Sequence, residues 1–191
     1  MSKNFFAYIS RMKYIFRWNL MRNADRENIQ EHSMQVVWIA HALGVIGRKF
    51  FEKSYDMEKI LALAAYHEAG EVITGDLPTP IKYYNPDIKN AYKKIEDMAN
   101  QKLLDMLPYE LRPEYEKYLL PEKNDEYLIV KAADRICAYL KCIEEIKAGN
   151  KEFEKAKASI LKSITELSMP EADYFMDTFT ESFELTLDEL N

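Results

Sequence analysis

Residues 124–148 read NDEYLIVKAADRICAYLKCIEEIKA, and their pattern sets the fold class. The apolar residues follow a helical rather than an alternating spacing, Asn124 is a good N-cap, and Asp125 and Glu126 occupy the first turn. Gly149 with Asn150 supplies the stop, so one long helix is predicted over 124–148. Cys137 and Cys142 lie five apart on it, about 500° of rotation, so they point to different faces and do not bridge. Reduced thiols of this kind suit a cytoplasmic protein. Asp134 interrupts the apolar face shared with Val130 and Cys137, where an acid has poor propensity and a desolvation cost. Its ordinary explanation is a salt bridge to Arg135 or to another cation.

The same pattern extends outward in both directions. Helices are predicted at 3–15, 28–50, 56–73, 87–106, 151–167 and 170–183, with Asn28 and Asp56 as further caps. Only 5 of 191 residues are glycine, and no Asn-Gly or Asp-Gly hairpin signal occurs, which argues against a sheet. The expectation is an all-α chain forming one domain. Gly75–Pro86, GDLPTPIKYYNP, carries three prolines and is predicted to be a stiff loop without helix; 108–121 holds one short helix.

Composition then removes whole classes of function. At 48% apolar and 30% charged the chain is neither disordered nor equipped with an apolar run of about 18 residues to cross a bilayer. The Lys- and Arg-punctuated start, MSKNFFAYISRMKYIFRW, lacks the features of a signal peptide. A net charge of −6 argues against binding polymeric nucleic acid through its phosphates.

Three histidines are few enough to weigh singly. His32 falls on the stripe of Val36, Ile39 and Leu43 and so faces inward. His41, with Met34, Val37 and Val45, is read as a core residue. His67 and Glu68 end the apolar run ILALAAY, where a buried acid and base need compensation, and Glu71 falls one turn after His67. Because position 71 is Glu, a zincin HExxH motif is excluded. Together His32, His67, Glu68 and Asp134, from three helices, form a ligand set suited to a divalent ion such as Mn, Fe, Co, Ni or Zn. An ion so held activates water for hydrolysis. Arg17, Arg22 and Arg26 precede the first ligand and match phosphate, and Trp18 adds a flat surface for a base or sugar.

These residues resemble the H…HD…D signature of HD-domain metal-dependent phosphohydrolases, through Glu31-His32-Ser33, His67-Glu68 and Asp134. The likeness narrows to bacterial 5′-deoxynucleotidases through Arg17-Trp18, Leu20-Met21-Arg22, Glu27-Asn28, Thr74–Pro80 and Tyr139-Leu140-Lys141-Cys142, and covers almost the whole chain. Asp173–Met176 and Leu187–Glu189 are similar as well.

The resemblance implies a single HD-type phosphohydrolase domain over 1–191, a cytoplasmic homodimer that hydrolyses deoxyribonucleoside 5′-monophosphates with one divalent ion, commonly cobalt. It implies His32, His67, Glu68 and Asp134 as metal ligands. Arg17 would meet the phosphate, and Trp18 would crowd the sugar 2′ position. Glu71 would be the catalytic carboxylate, and Asp76, Leu77, Pro78 and Thr79 the substrate loop, with Asp76 also assisting the chemistry. Glu68 would face both metal and substrate. The chain departs from the signature at this last position, which calls for Asp; the rival expectation is a nucleotide-binding protein whose turnover is weakened by the longer side chain.

Overall fold

The computed structural model describes residues 3–82 and 84–190, and of Thr79 and Pro80 only the backbone. Its helices are α1 (Phe5–Ile9), α2 (Ile29–Phe50), α3 (Met57–Tyr66), α4 (Glu71–Thr74), α5 (Thr79–Lys82), α6 (Pro86–Asp105), α7 (Arg112–Leu119), α8 (Asp125–Lys147), α9 (Glu154–Thr165) and α10 (Pro170–Phe179). Among the described residues no strand forms, and extended pairing is limited to one antiparallel bridge, Phe16 with Asn28. The all-α expectation holds.

The predicted caps are present as bonds. Asn28 Oδ1 accepts from the backbone N–H groups of Gln30 and Glu31 at 3.0 Å, and Glu31 Oε2 accepts from Asn28 N–H at 3.2 Å. That reciprocal pair is a capping box, and it fixes where α2 begins. Asn124 Oδ1 accepts from Tyr127 N–H at 3.1 Å to start α8. Gly149, at φ 85°, ends that helix in the left-handed region.

The helix foreseen over 3–15 ends at Ile9, with only a three-residue turn at Met12–Tyr14 beyond it, and two further stretches of predicted structure fail locally. The helix foreseen over 56–73 stops at Tyr66 and resumes as α4 at Glu71. Between them the chain tightens into three-residue bonds, Ala69 N–H to Tyr66 O and Glu71 N–H to Glu68 O, both 3.0 Å. His67 and Glu71 are therefore not neighbours on one helical face. Gly70 permits the turn by close approach: a Cβ there would stand 2.7 Å from Asn100 Oδ1. The second failure is the proline loop, which contains the one-turn helix α5. Pro80 sits in its first turn, where a missing N–H breaks no bond, while Ile81 and Lys82 donate back to Pro78 O at 2.9 and 3.0 Å.

The chain divides into two compact units. The first holds the residues up to Arg22, Arg26–Met34 and Ala65–Glu122. There α1, α4, α5 and α7 pack on α6 around Phe5, Ala69, Leu103, Leu104, Leu107 and Leu119. Phe5 and Tyr66 meet Tyr115 edge-on, with ring centres 5.2 and 5.8 Å away. The second holds Asn23–Asp25, Gln35–Ala64 and the residues from Lys123 onward, with α8 packed against α9 and α10. Ile129, Ile136, Ile143, Phe153, Ile164, Ala172 and Phe175 are buried there.

A buried ion pair fixes the 23–25 turn onto α8 inside the second unit. Lys141 Nζ donates to Glu145 Oε1 at 2.6 Å and to Asp25 O at 2.7 Å. Glu145 also accepts from Ala24 N–H at 2.7 Å, Asn150 Nδ2 at 2.7 Å and Asp25 N–H at 3.2 Å. Along α2, Val36 and Leu43 are fully buried, as the stripe predicts. His41 is not core. It lies exposed on the line of Met34 and Val45, because that line falls off the buried stripe. Cys137 and Cys142 are both buried and not joined in a disulfide. Among the described residues no helix is long and apolar enough to cross a membrane.

Candidate active site

The first unit gathers a dense polar cluster on an apolar frame. The Phe16–Asn28 bridge is made by Arg17 N–H donating to Glu27 O at 3.0 Å and Ile29 N–H donating to Ile15 O at 2.9 Å. This places Arg17 beside the first turn of α2, where the capping box has already set His32. His67 and Glu68 come from the tight turn that closes α3.

His32 is fully buried, Glu27 is 7% exposed, and the Arg17 and Glu68 side chains are each 12% exposed. Arg17 Nη1 donates to Glu27 Oε2 at 2.7 Å and to His32 Nδ1 at 2.6 Å. Around Glu68 Oε1 stand Arg17 Nε at 3.6 Å, His32 Nε2 at 3.7 Å and His67 Nε2 at 3.8 Å. The two imidazole rings are 5.4 Å apart.

Glu71 Oε2 is buried with no hydrogen-bond partner among the described residues. Burial first, then the negative charges of Glu68 and Asp76, push the Glu71 carboxyl up to about 9, against the opposing charges of Arg17 and Lys82. Glu71 thus carries a proton at neutral pH. Asp76 is raised as well, chiefly by burial, while Arg17 and a hydrogen bond from the Trp18 backbone pull the other way. Trp18 sits at φ 60°, a conformation that costs a bulky residue on the order of 1–3 kcal/mol unless its surroundings enforce it. Gly75, at φ 72°, opens the loop that carries Asp76, Leu77 and Pro78, all partly buried. Tyr92 of α6 donates to Gly75 O at 3.4 Å, and Lys82 pairs with Glu96 at 2.6 Å, so one face of α6 holds both ends of that loop.

The sequence-derived residues sort as follows. Arg17, His32, His67 and Glu68 converge, and Glu71 and Asp76 feel their charges. Asp134 is placed on α8 in the second unit, its side chain 24% exposed and 3.5 Å from Lys131. Arg135, the neighbour suggested as its partner, donates instead to Ser163 O at 2.8 Å. The Thr79 side chain lies outside the described residues. Arg22 and Arg26 are exposed, and Arg26 lies 5.5 Å from the Phe16 ring centre. In the sequence Glu27 stands out only within the Glu27-Asn28 pair; nothing about an acid flanked by Arg26 and a capping Asn announces burial.

The donor set suits a divalent ion. His32, His67 and Glu68 offer ligand atoms within 4.8 Å of one another. That spread is slightly wider than the about 4.4 Å two opposed ligands span at bond lengths near 2.2 Å, a gap small rotamer adjustments close. Two imidazoles and a carboxylate, without thiolate, are the ligands of hydrolytic rather than structural sites.

The chain resembles known proteins along most of its length. The 5′-deoxynucleotidase YfbR-like family model matches residues 4–183. A 5′-deoxynucleotidase of Vibrio atlanticus (strain LGP32) is 52% identical over 190 residues, 98% of each chain. One from Yersinia pestis (strain Pestoides F) is 53% identical over 191 residues, 98% of this chain and 96% of its own. Among solved structures, an HD-domain phosphohydrolase from Listeria innocua superposes with a TM-score of 0.85 at 22% identity, over 94% of this chain and 88% of that one. A cyanophage S-2L HD phosphohydrolase bound to dA and one catalytic Zn2+ ion gives 0.67 at 17%, over 94% and 96%. At such identities the two structures speak for the fold.

Proposed function

Because this chain belongs to the YfbR-like 5′-deoxynucleotidase family, we propose that it hydrolyses deoxyribonucleoside 5′-monophosphates to deoxynucleosides and phosphate. The observation that carries the reading is the convergence of His32 Nε2, His67 Nε2 and Arg17 Nε on Glu68 Oε1. His32, His67 and Glu68 hold one divalent ion, with Asp134 as fourth ligand on the family pattern; Co, Mn, Ni and Zn all suit these donors. Such an ion supplies Lewis-acid polarisation of the phosphate and a water of lowered pKa.

The chain's own residues do the rest. Arg17 neutralises charge on the phosphoryl oxygens, and its low exposure strengthens that effect. Glu71, protonated at neutral pH, delivers its proton to the departing 5′ oxygen. Trp18 packs against the sugar and disfavours a 2′-hydroxyl. Asp76, Leu77, Pro78 and Thr79 close over the nucleotide, with Asp76 assisting proton movement and Glu68 facing substrate as well as ion. The family model runs through both units, which supports a single HD-type domain over 1–191. We place the protein in the cytoplasm as a homodimer, the exposed α2 face of Met34, Trp38 and Val45 being the surface suited to a second copy.

One observation favours a second reading, nucleotide binding with weakened turnover: Glu68 is long enough to approach Arg17, the phosphate's own cation. Phosphate release from dAMP and AMP, measured with Co2+, Mn2+ and Zn2+ in turn, decides between them. Release from dAMP well above AMP supports the nucleotidase. No release with any ion, restored in Glu68→Asp, supports the binder, and equal rates on both nucleotides remove the deoxy preference.

A further inference from the structure

The loop that carries Asp76, Leu77 and Pro78 is anchored on α6 at both of its ends. Tyr92 and Glu96 lie four residues apart on that helix and so project side by side. Asn85 Oδ1, accepting from Ile88 N–H at 2.8 Å, starts α6 soon after Lys82, with Pro86 in the first turn. At the near end of the loop, Gly75 stands at φ 72° and ψ 166°, a conformation essentially confined to glycine. Its carbonyl accepts from Thr74 Oγ1 at 2.9 Å and from Tyr92 Oη at 3.4 Å, and Tyr92 is 8% exposed. At the far end, Lys82 Nζ donates to Glu96 Oε1 at 2.6 Å and lies 5.0 Å from the centre of the Tyr92 ring. The hydroxyl of Tyr92 thus serves one end of the loop and its ring the other. Between those ends, Asp76 accepts from Trp18 N–H and lies in the field of Arg17 and Glu68, which ties the loop to the polar cluster.

We propose that Tyr92 and Glu96 are positioning residues for nucleotide binding, acting through Gly75 and Lys82 to hold the 75–82 loop ready for the nucleoside half of the substrate. A loop that orders only on binding sets its lost conformational freedom against affinity; a loop tied down beforehand does not. The phosphate is met by Arg17 and the ion, so the effect of the two anchors falls on the nucleoside. The inference rests on the nucleotidase reading given above.

The test uses Tyr92→Phe, which removes the hydroxyl and keeps the ring beside Lys82, Glu96→Gln, which removes the charge, and the double variant. KM and kcat for dAMP are measured with Co2+. Inorganic phosphate and deoxyadenosine serve as competing inhibitors, one for each half of the substrate. Tyr92→Phe is expected to raise KM by about 2–10-fold and Glu96→Gln by about 2–5-fold, with kcat within about twofold of wild type and the double variant exceeding either. Inhibition by deoxyadenosine weakens in step with KM, while inhibition by phosphate does not change. Hydrogen exchange at the Ile81 and Lys82 amides, both bonded to Pro78 O, speeds up in Glu96→Gln by a factor similar to its KM change. Equal weakening of both inhibitors overturns the proposal, because it marks a general loss of structure. An unchanged KM in the double variant overturns it too, because the loop then needs no anchor. If Tyr92→Phe fails to fold, Glu96→Gln, altered at a side chain 31% exposed, decides alone, an unchanged KM being the overturning result. If wild type releases no phosphate from dAMP, the nucleotidase reading falls. Calorimetric binding of dAMP to the same variants then judges the anchors, with unchanged affinity again overturning their role.

Discussion

At the scale of single residues, the proposed chemistry turns on a carboxyl group that burial keeps protonated. Glu71 is raised to about 9 in the folded chain, against 4.5 for an ordinary glutamate. Between those values the folded state keeps a proton that the unfolded chain releases, so ionisation opposes folding increasingly as pH rises toward 9. Glu71→Gln removes that cost. Its melting temperature at pH 7, with chelator present, is expected to exceed wild type, while kcat falls by roughly 10²–10⁴-fold with Co2+ bound. An unchanged kcat would end the proton-donor role. The identities of Arg17, His32, His67 and Glu68 were legible in the sequence because they are chemically conspicuous on apolar stretches. Glu27 and the left-handed Trp18 were not, since burial and backbone angle depend on chain segments distant in sequence.

Secondary-structure elements tell a similar story about what local chemistry can announce. Asn28 and Asn124 declare their helix starts, because a cap is an interaction within four residues. The break between α3 and α4 was hidden: nothing near Gly70 shows that Asn100 will press against it. Gly70→Ala is therefore expected to cost about 1–3 kcal/mol by overpacking and to weaken Co2+ binding, since the turn carries His67 and Glu68. Chemical denaturation and calorimetry check both effects. On α8, burial alone would raise Glu145, yet hydrogen bonds from Lys141, Ala24 N–H, Asn150 and Asp25 N–H hold it down at about 2. The stability this contributes is present above the unfolded value near 4.3 and is lost as pH falls toward 2. The unfolding free energy of wild type is expected to drop by on the order of 3 kcal/mol between pH 5 and 2, and its pH dependence to be flatter in a Lys141→Met, Glu145→Leu double variant.

For the whole molecule, the proposed metal binding is linked to folding. An ion that binds only the native state adds about 2.7 kcal/mol at a hundredfold excess over its dissociation constant. Removing it with chelator is expected to lower the melting temperature, and adding back Co2+ or Zn2+ to restore it; no shift with any of the candidate ions would contradict the proposed ligand set. Association is tested on the outer face of α2, where Trp38 is 61% exposed. Trp38→Lys is expected to convert a dimer into a monomer in sedimentation velocity while leaving helicity unchanged, and a wild-type monomer would refute the assembly. The fold class needed little more than spacing and scarce glycine, because helices are local. Tertiary convergence is not local, so the site was reached through residue chemistry and family likeness.

Trp18 and Trp38 are the chain's two tryptophans, and they occupy opposite circumstances. The first is held at φ 60° beside Asp76, with Arg17 5.9 Å from its ring centre; the second faces solvent. Replacing Trp38 with Phe leaves a single indole whose emission reports on the surroundings of Arg17 and Asp76 alone. The protein then supplies its own optical probe, through which the arrival of dAMP can be timed in a stopped-flow instrument without any added dye.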